Sequence, residues 1–504
     1  RVKGVKMSAI ITEKFRQHNA SQFVESFTEA SASTYYLFLG KATAFSSTTT
    51  GGSDSSPPTP NTGPEDEFRA WNSMLGAKLI SSSDVKRSIP RRNWANGTVY
   101  DMYRHDYSSS NTSTSGSSDL FDSTFYFMTS DYRVYKVLDN NAGAAFSGSE
   151  PTSESTSPVA SGGYVIKYMY TISTSDFAKF GTTDFIPVAT DSTVSAAATD
   201  GKIESLVITA GSGYTDGTYY AAVYGDGTNQ GTSSGAIVRI TVSSGAIVSF
   251  GLTAGTDTTI HSGGAAYTFG YVNLGDDYIF SDSSLSSSAS LGSGSGGAIE
   301  VIISPKNGHG NDAVGELGGH YVMTATTLTQ GEGDDFTTAN DFRSVGIVVD
   351  PTNFGTSTVA TATTRRQTYI VKLDTSSGTF EADEVITQTS TGAVGKVVEW
   401  DSSLSLLYYQ QEEFKNFGTN STTGGYVAFS GTNEITGATS SATGTTAGTT
   451  ETVTLANANT VTLTSGYANP ELAADSGNII YLENRKPIQR ASDQTEDIKV
   501  IIEF

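Results

Sequence analysis

Five histidines, His18, His105, His261, His309 and His320, are spread along the 504 residues, and no two stand at the HxH or HExxH spacing that places imidazoles on one metal ion. The chain has no cysteine, which removes thiol nucleophiles, disulfide frameworks and cysteine-ligated zinc or iron–sulfur centres. No GxSxG nucleophile turn, phosphate loop or dinucleotide fingerprint is present. The glycine-rich pieces Gly225-Asp226-Gly227 and Gly292-Ser293-Gly294 lack the Lys-Ser/Thr of a phosphate loop and read as hairpin turns. Gly275-Asp276-Asp277 and Gly331-Glu332-Gly333-Asp334-Asp335 offer the hard oxygen ligands that calcium takes, but without the Asp-x-Asp-x-Asp-Gly spacing. Carboxylate pairs for glycoside hydrolysis are set by the fold rather than by spacing, so 52 acidic residues single out none. The Asn-x-Ser/Thr sequons at Asn19, Asn96, Asn111 and Asn420 are what chance supplies in so hydroxyl-rich a chain. The expectation is no catalytic residue, no cofactor and no metal.

Two segments are chemically denser. Val85 to Trp94 carries Lys86, Arg87, Arg91 and Arg92 around Ile89-Pro90 and ends in Trp94. Guanidiniums make bidentate bonds to carboxylates and stack on rings, so such a segment suits a protein contact; the alternative is a solvated basic loop with Trp94 in its own core. Tyr481 to Ile488 carries Glu483, Asn484, Arg485 and Lys486 before Pro487, followed by Asp493-Gln494-Thr495-Glu496-Asp497. Here a strand is expected to break at Pro487, and the charges serve either internal salt bridges or a subunit contact. Lys86, Arg87, Arg91, Arg92, Trp94, Glu483, Asn484, Arg485 and Lys486 are thus the candidate interface residues.

The elements that must hold these segments are mostly strands. Charged residues are only 16% of the chain, against about 25% in ordinary globular proteins, and Ser, Thr and Gly take their place. Helix-rich proteins favour Ala, Glu, Lys, Leu and Arg, so an α-helical architecture is disfavoured. Aromatics at 10% argue against disorder, and 504 residues exceed one hydrophobic core. The net charge of −22 is uneven: residues 1–106 hold 13 Lys/Arg and 10 Asp/Glu, leaving 17 and 42 for the rest. So acidic a body repels phosphate backbones, which excludes nucleic acid as its partner. No stretch approaches the ~20 apolar residues of a membrane helix. The basic start Arg1-Val2-Lys3-Gly4-Val5-Lys6-Met7 precedes too short an apolar run for a signal peptide, and Met7 is a candidate translation start.

Along the chain, residues 13–27 suggest a short amphipathic helix, Tyr35–Gly40 a buried strand, and 46–64 a Pro/Ser/Thr loop. Phe68, Trp71, Met74 and Leu75 at spacings of three and four suggest one helix over 65–80. Strands are expected at 125–128, 134–138, 164–170 and 185–188, with a loop at 147–162. From residue 201, short β-branched runs alternate with polar turns about every ten residues, as in small sandwiches or barrels. Two degenerate repeats appear there: 235–242 resembles 297–303, and 378–387 resembles 428–437. The aromatic texture returns at 470–504, with strands at 478–482 and 498–504. The expected fold is mainly β: a discontinuous β-sandwich core of 1–200 plus 469–504, with small β-sandwich or barrel modules at 201–345 and 346–468 and few short helices.

The two dense segments also carry a resemblance. Ala9 to Arg16, Pro57-Pro58-Thr59-Pro60, Trp71 with Met74 and Gly76, Ser88-Ile89-Pro90-Arg91-Arg92-Asn93-Trp94, Gly163 to Tyr168, Ile480 to Ile488 and Asp493 to Glu496 stand in this order. Together they resemble the baseplate wedge subunits of contractile-tailed bacteriophages, of the T-even gene-product-eight type, over roughly 7–190 and 476–504. The resemblance implies a non-enzymatic structural protein of the virion tail, predominantly β. It also implies a homodimer, assembled in the host cytoplasm, that contacts other wedge subunits and tail-fibre-carrying proteins. The stretch 201–468 departs from that pattern. Its acidic, Ser/Thr/Gly-rich texture keeps two other classes open: a polysaccharide-binding or depolymerase protein, expected as a long parallel β-helix with a carboxylate groove, and a receptor-binding tip.

Overall fold

A computed structural model describes residues 12–47, 51–61, 63–329, 332, 335–411, 426–456, 458–491 and 493–504. The basic start through Met7, the stretch Ala9–Ile11, Gly331, Gly333, Asp334 and the sequon at Asn420 lie outside them. The fold is mainly β, and the longest α-helix among the described residues is the 13-residue Glu13–Glu25. Contacts gather the chain into two compact units. One is Arg1–Ser21, Lys86–Met323 and Ile501–Phe504; the other is Gln22–Val85 and Thr324–Val500. The backbone therefore passes from one unit to the other after Ser21, Val85, Met323 and Val500.

In the first unit, Tyr126–Met128, Arg133–Asp139, Tyr164–Thr171 and Val159–Ser161 form an antiparallel sheet in that spatial order. The last of these strands lies inside the expected 147–162 loop. Every residue from Tyr164 to Tyr170 is buried, which explains why this run reads as continuous apolar and aromatic sequence rather than alternation: both sheet faces are covered. Its tyrosines stay tolerable inside because their hydroxyls find acceptors. The Tyr126 hydroxyl donates to the Pro90 carbonyl at 2.7 Å and the Tyr164 hydroxyl to that of Ala144 at 2.6 Å. A second, eight-stranded sheet runs through Ala236–Ser243, Gly217–Gly225, Gly270–Val272, Ser295–Ile302 and Ser205–Ser212. Both copies of the first repeat are strands of this sheet. One hydrophobic core joins the two sheets, from Ile89 and Phe127 through Ile166 to Val238, Val301 and Leu317. Each large side chain fully buried there contributes roughly 1.5–3 kcal/mol.

In the second unit, Thr364–Arg366, Met74–Ile80, Tyr35–Gly40, Asp341–Val349 and Asn478–Gln489 form a five-stranded antiparallel sheet. Two expectations are corrected here. The helix is Pro64–Ser73 only; Met74 turns extended and begins a strand beside Tyr35–Gly40. The three-and-four spacing that joined Met74 and Leu75 to the helix is overridden by sheet pairing. The strand holding Glu483 does not break at Pro487 but runs to Gln489. Phe342 pairs with Ile488 and Ser344 with Asn484, so Arg485, Lys486 and Pro487 bulge out of the ladder. A proline, having no N–H to donate, fits such a bulge. An eight-stranded sheet is built from strands between Tyr369–Lys372 and Tyr467–Ala468. In it the second repeat pairs with itself, Ile386 opposite Gly437 and Thr387 opposite Thr436, while Phe380 and Phe429 enter one core.

Candidate interface segments

The basic segment begins as the strand Val85–Pro90, whose Ser88, Ile89 and Pro90 pair with Pro187, Ile186 and Phe185. Alternation puts Val85, Arg87 and Ile89 on one face and Lys86 on the other, so Arg87 follows Ile89 inward and the neighbouring elements take up its charge. Arg87 is half-buried: its Nε donates to the Gly319 carbonyl at 2.8 Å, Nη1 to the Ser21 hydroxyl at 2.7 Å and Nη2 to the Gln17 carbonyl at 3.3 Å. Burial lowers its pKa, against the attraction of Asp312. Lys86 lies 3.6 Å from the Asp176 carboxylate, more than a third exposed. Arg91 donates to Asn93 Oδ1 at 2.9 Å and to the Thr182 carbonyl at 2.8 Å, with its guanidinium 5.2 Å from the Phe177 ring centre. Arg92 reaches the Phe121 carbonyl at 3.3 Å and lies over the Tyr126 ring at 4.4 Å. Trp94 meets Phe146 edge-on at 5.9 Å, with no hydrogen-bond partner for Nε1. The segment is thus a braced, partly exposed ridge.

Beside Arg92 is a polar cleft of about 410 Å³. Arg16 Nη1 lies 2.7 Å from Glu503, and His320 Nδ1 lies 3.2 Å from Glu13. Burial lowers the His320 pKa, the two carboxylates opposing. Sequence reasoning left these residues unassigned, because nothing local links positions so far apart in the chain.

The other segment lies in the second unit. Asn484 Nδ2 donates to the Pro58 carbonyl at 3.0 Å, and its Oδ1 accepts from the Ser344 hydroxyl at 2.7 Å. It thereby joins the Pro57–Pro60 stretch to the strand, at a cleft of about 170 Å³ that Lys41, Thr59 and Leu482 also line. Glu483 accepts from the Tyr481 hydroxyl and pairs with Arg485 at 3.0 Å. Arg485 and Lys486 are exposed.

A third charged cluster sits deep in the first unit. Lys136 pairs with Glu316, both almost fully buried. The Glu316 carboxylate also accepts the N–H groups of Gly310 and Asp312 at 2.8 and 3.2 Å. His309, 1% exposed, stands edge-on to Tyr103 at 4.9 Å, and burial holds it well below the ordinary histidine pKa. These bonds tie residues 309–316 to the Arg133–Asp139 strand.

Among the described residues no three metal-ligating side chains gather at one point, and no helix is long and apolar enough to cross a membrane. Acidic turns satisfy themselves: Asp226 accepts from the Thr268 and Phe269 N–H groups at 2.9 and 3.1 Å, and Asp282 from that of Ser287 at 2.9 Å. The ladders of both eight-stranded sheets are antiparallel, unlike the parallel β-helix that the depolymerase reading predicts.

The family model for bacteriophage T4 Gp8, a baseplate wedge subunit, matches residues 9–145 and 449–504, under half of the chain. Both dense segments fall inside the match, whereas Gly163–Tyr168 falls outside it. The interruption between the two matched stretches is consistent with an inserted region. A search of curated proteins gave no match.

Proposed function

From the family match, which points to a structural component of a phage tail baseplate, we propose that the protein is a wedge subunit. In this reading it is a homodimer that links neighbouring wedge subunits and fibre-carrying proteins and changes those contacts when the tail contracts. One observation carries the proposal: the match occupies both ends of the chain and includes both densely charged segments. The structural features fit it. The Arg91–Arg92 pair and the Arg485–Pro487 bulge present cations at element edges, where polar, reversible contacts form, while Trp94 packs on the core behind the first of them. A surface rich in hydroxyls and poor in charge suits interfaces that rearrange. Residues 201–468 are read as an enlargement of the wedge subunit in two modules, 201–345 and 346–468, the second overlapping the matched stretch at 449–468.

The test is an electron cryo-microscopy map of the intact particle. Density for this chain in the wedge ring, with Arg91, Arg92, Arg485 or Lys486 at a subunit contact, supports the reading. Density confined to a fibre, or both segments facing solvent, overturns it.

A further inference from the structure

The first unit carries an exposed aromatic platform outside both family-matched stretches. Tyr224 and Tyr271 are cross-strand partners on one face of the eight-stranded sheet, and Phe269 projects from the same face two residues before Tyr271. Tyr278 closes the group edge-on to Tyr224 at 5.5 Å. The other rings lie close to parallel: Tyr224 and Tyr271 are 6.0 Å apart at 31°, and Phe269 and Tyr271 are 6.5 Å apart at 21°. Phe269, Tyr271 and Tyr278 are 55%, 52% and 37% exposed. Gly225 has φ +154, and a Cβ there would meet the Phe269 carbonyl oxygen, so this glycine lets the two strands close up under the rings.

Leaving several rings in water side by side is unfavourable unless something covers them. The chemistry of the surroundings selects what. Asp226 accepts the Phe269 N–H at 3.1 Å and Gln230 Oε1 that of Gly225 at 2.8 Å, while Glu300, the register partner of Tyr271, is paired with Arg104 at 2.5 Å. Acidic neighbours repel nucleic acid and anionic lipid, although single strands do stack on such rings where the groove is basic. The four rings offer flat π faces rather than the mixed apolar surface of a protein interface core. Ring faces are electron-rich, and the C–H bonds on one side of a sugar ring are electron-poor. A carboxylate oxygen has more than one acceptor site, so the exposed Asp226 Oδ2, which takes one bond from the Thr268 hydroxyl, keeps capacity for a sugar hydroxyl. We propose that this platform, Tyr224, Phe269, Tyr271 and Tyr278, binds a neutral polysaccharide by stacking its sugar rings. This adds a binding site to the wedge reading and does not depend on it.

Affinity electrophoresis of the full chain through gels containing dextran, soluble starch, hydroxyethyl cellulose or galactomannan tests it. Retarded migration is expected in at least one gel, with apparent affinity falling about tenfold in Phe269→Ala with Tyr271→Ala and retained in Tyr271→Phe, which keeps the ring. Both rings are exposed, so the thermal melt of the double variant should match that of the parent; if it does not, Tyr278→Ala carries the same comparison. No retardation in any gel, or equal retardation of the ring-deleted variants, overturns the proposal. So does self-association in sedimentation velocity that the double variant abolishes, since a second copy would then be the occupant.

Discussion

In sequence, the charged groups of the first unit resemble those on the Asn478–Gln489 strand of the other unit, but the fold treats the two sets differently. Lys136, Glu316 and Arg87 are drawn inward and their bonds are spent on carbonyls, amides and one another. Arg485 and Lys486 are lifted out of a ladder by a bulge, where Glu483 pairs with Arg485. Charge density along a chain therefore does not report availability. What decides is whether neighbouring elements bring acceptors to the charge.

Substitutions separate the two behaviours. Lys136→Met leaves Glu316 buried without its cation and should cost about 3–5 kcal/mol in urea unfolding; a loss under ~1 kcal/mol would mean that the pair does not hold the 309–316 segment. Arg87→Ala removes its bonds to three internal partners, Gly319, Ser21 and Gln17, and should cost roughly 2–3 kcal/mol, with binding to wedge partners, measured below the melting temperature, unchanged. Asp139 gives the pH dependence. Burial pushes its pKa up to about 6 from 3.8, opposed by a bond from the Asn141 N–H. The folded state then holds the proton more tightly than the unfolded one. Its contribution is full below about pH 4 and is lost as pH rises through about 6. Asp139→Asn should therefore gain on the order of 2 kcal/mol over the parent at pH 7 and little at pH 4; equal unfolding curves at both pH values would refute the shift. Smallest in stability, Arg485→Ala with Lys486→Ala should shift unfolding by less than roughly 0.5 kcal/mol while weakening co-sedimentation with wedge partners. Normal assembly of that variant removes these residues from the proposed interface.

How much was legible in the sequence follows the range of the forces involved. The mainly β class, the strands at 35–40 and 164–170 and the terminal strand, which forms as Glu496–Glu503, follow from local aromatic and β-branched runs. The end of the helix at Ser73 was not legible, because Met74 is recruited by a strand more than thirty residues earlier. Nor was the bulge at Pro487, which depends on its register against Phe342 and Ser344. Of the candidate residues, the types were readable and the exposures were not. The Arg16, His320 and Glu503 cleft and the Tyr224–Tyr271 pair left no signal, since each unites positions distant in sequence.

The fourfold passage of the backbone between units has a consequence for biosynthesis. Gln22–Val85 emerges from the ribosome early, but Tyr35–Gly40 waits for Asp341–Val349, some three hundred residues later, before its second edge is paired. Ile501–Phe504, which belongs to the first unit, comes later still. Neither unit can complete itself as its own residues are made, and closing such long loops slows folding. Nascent chains of this protein should therefore carry unpaired strand edges until Asp341–Val349 and Ile501–Phe504 have emerged, and depend on chaperone shielding until then.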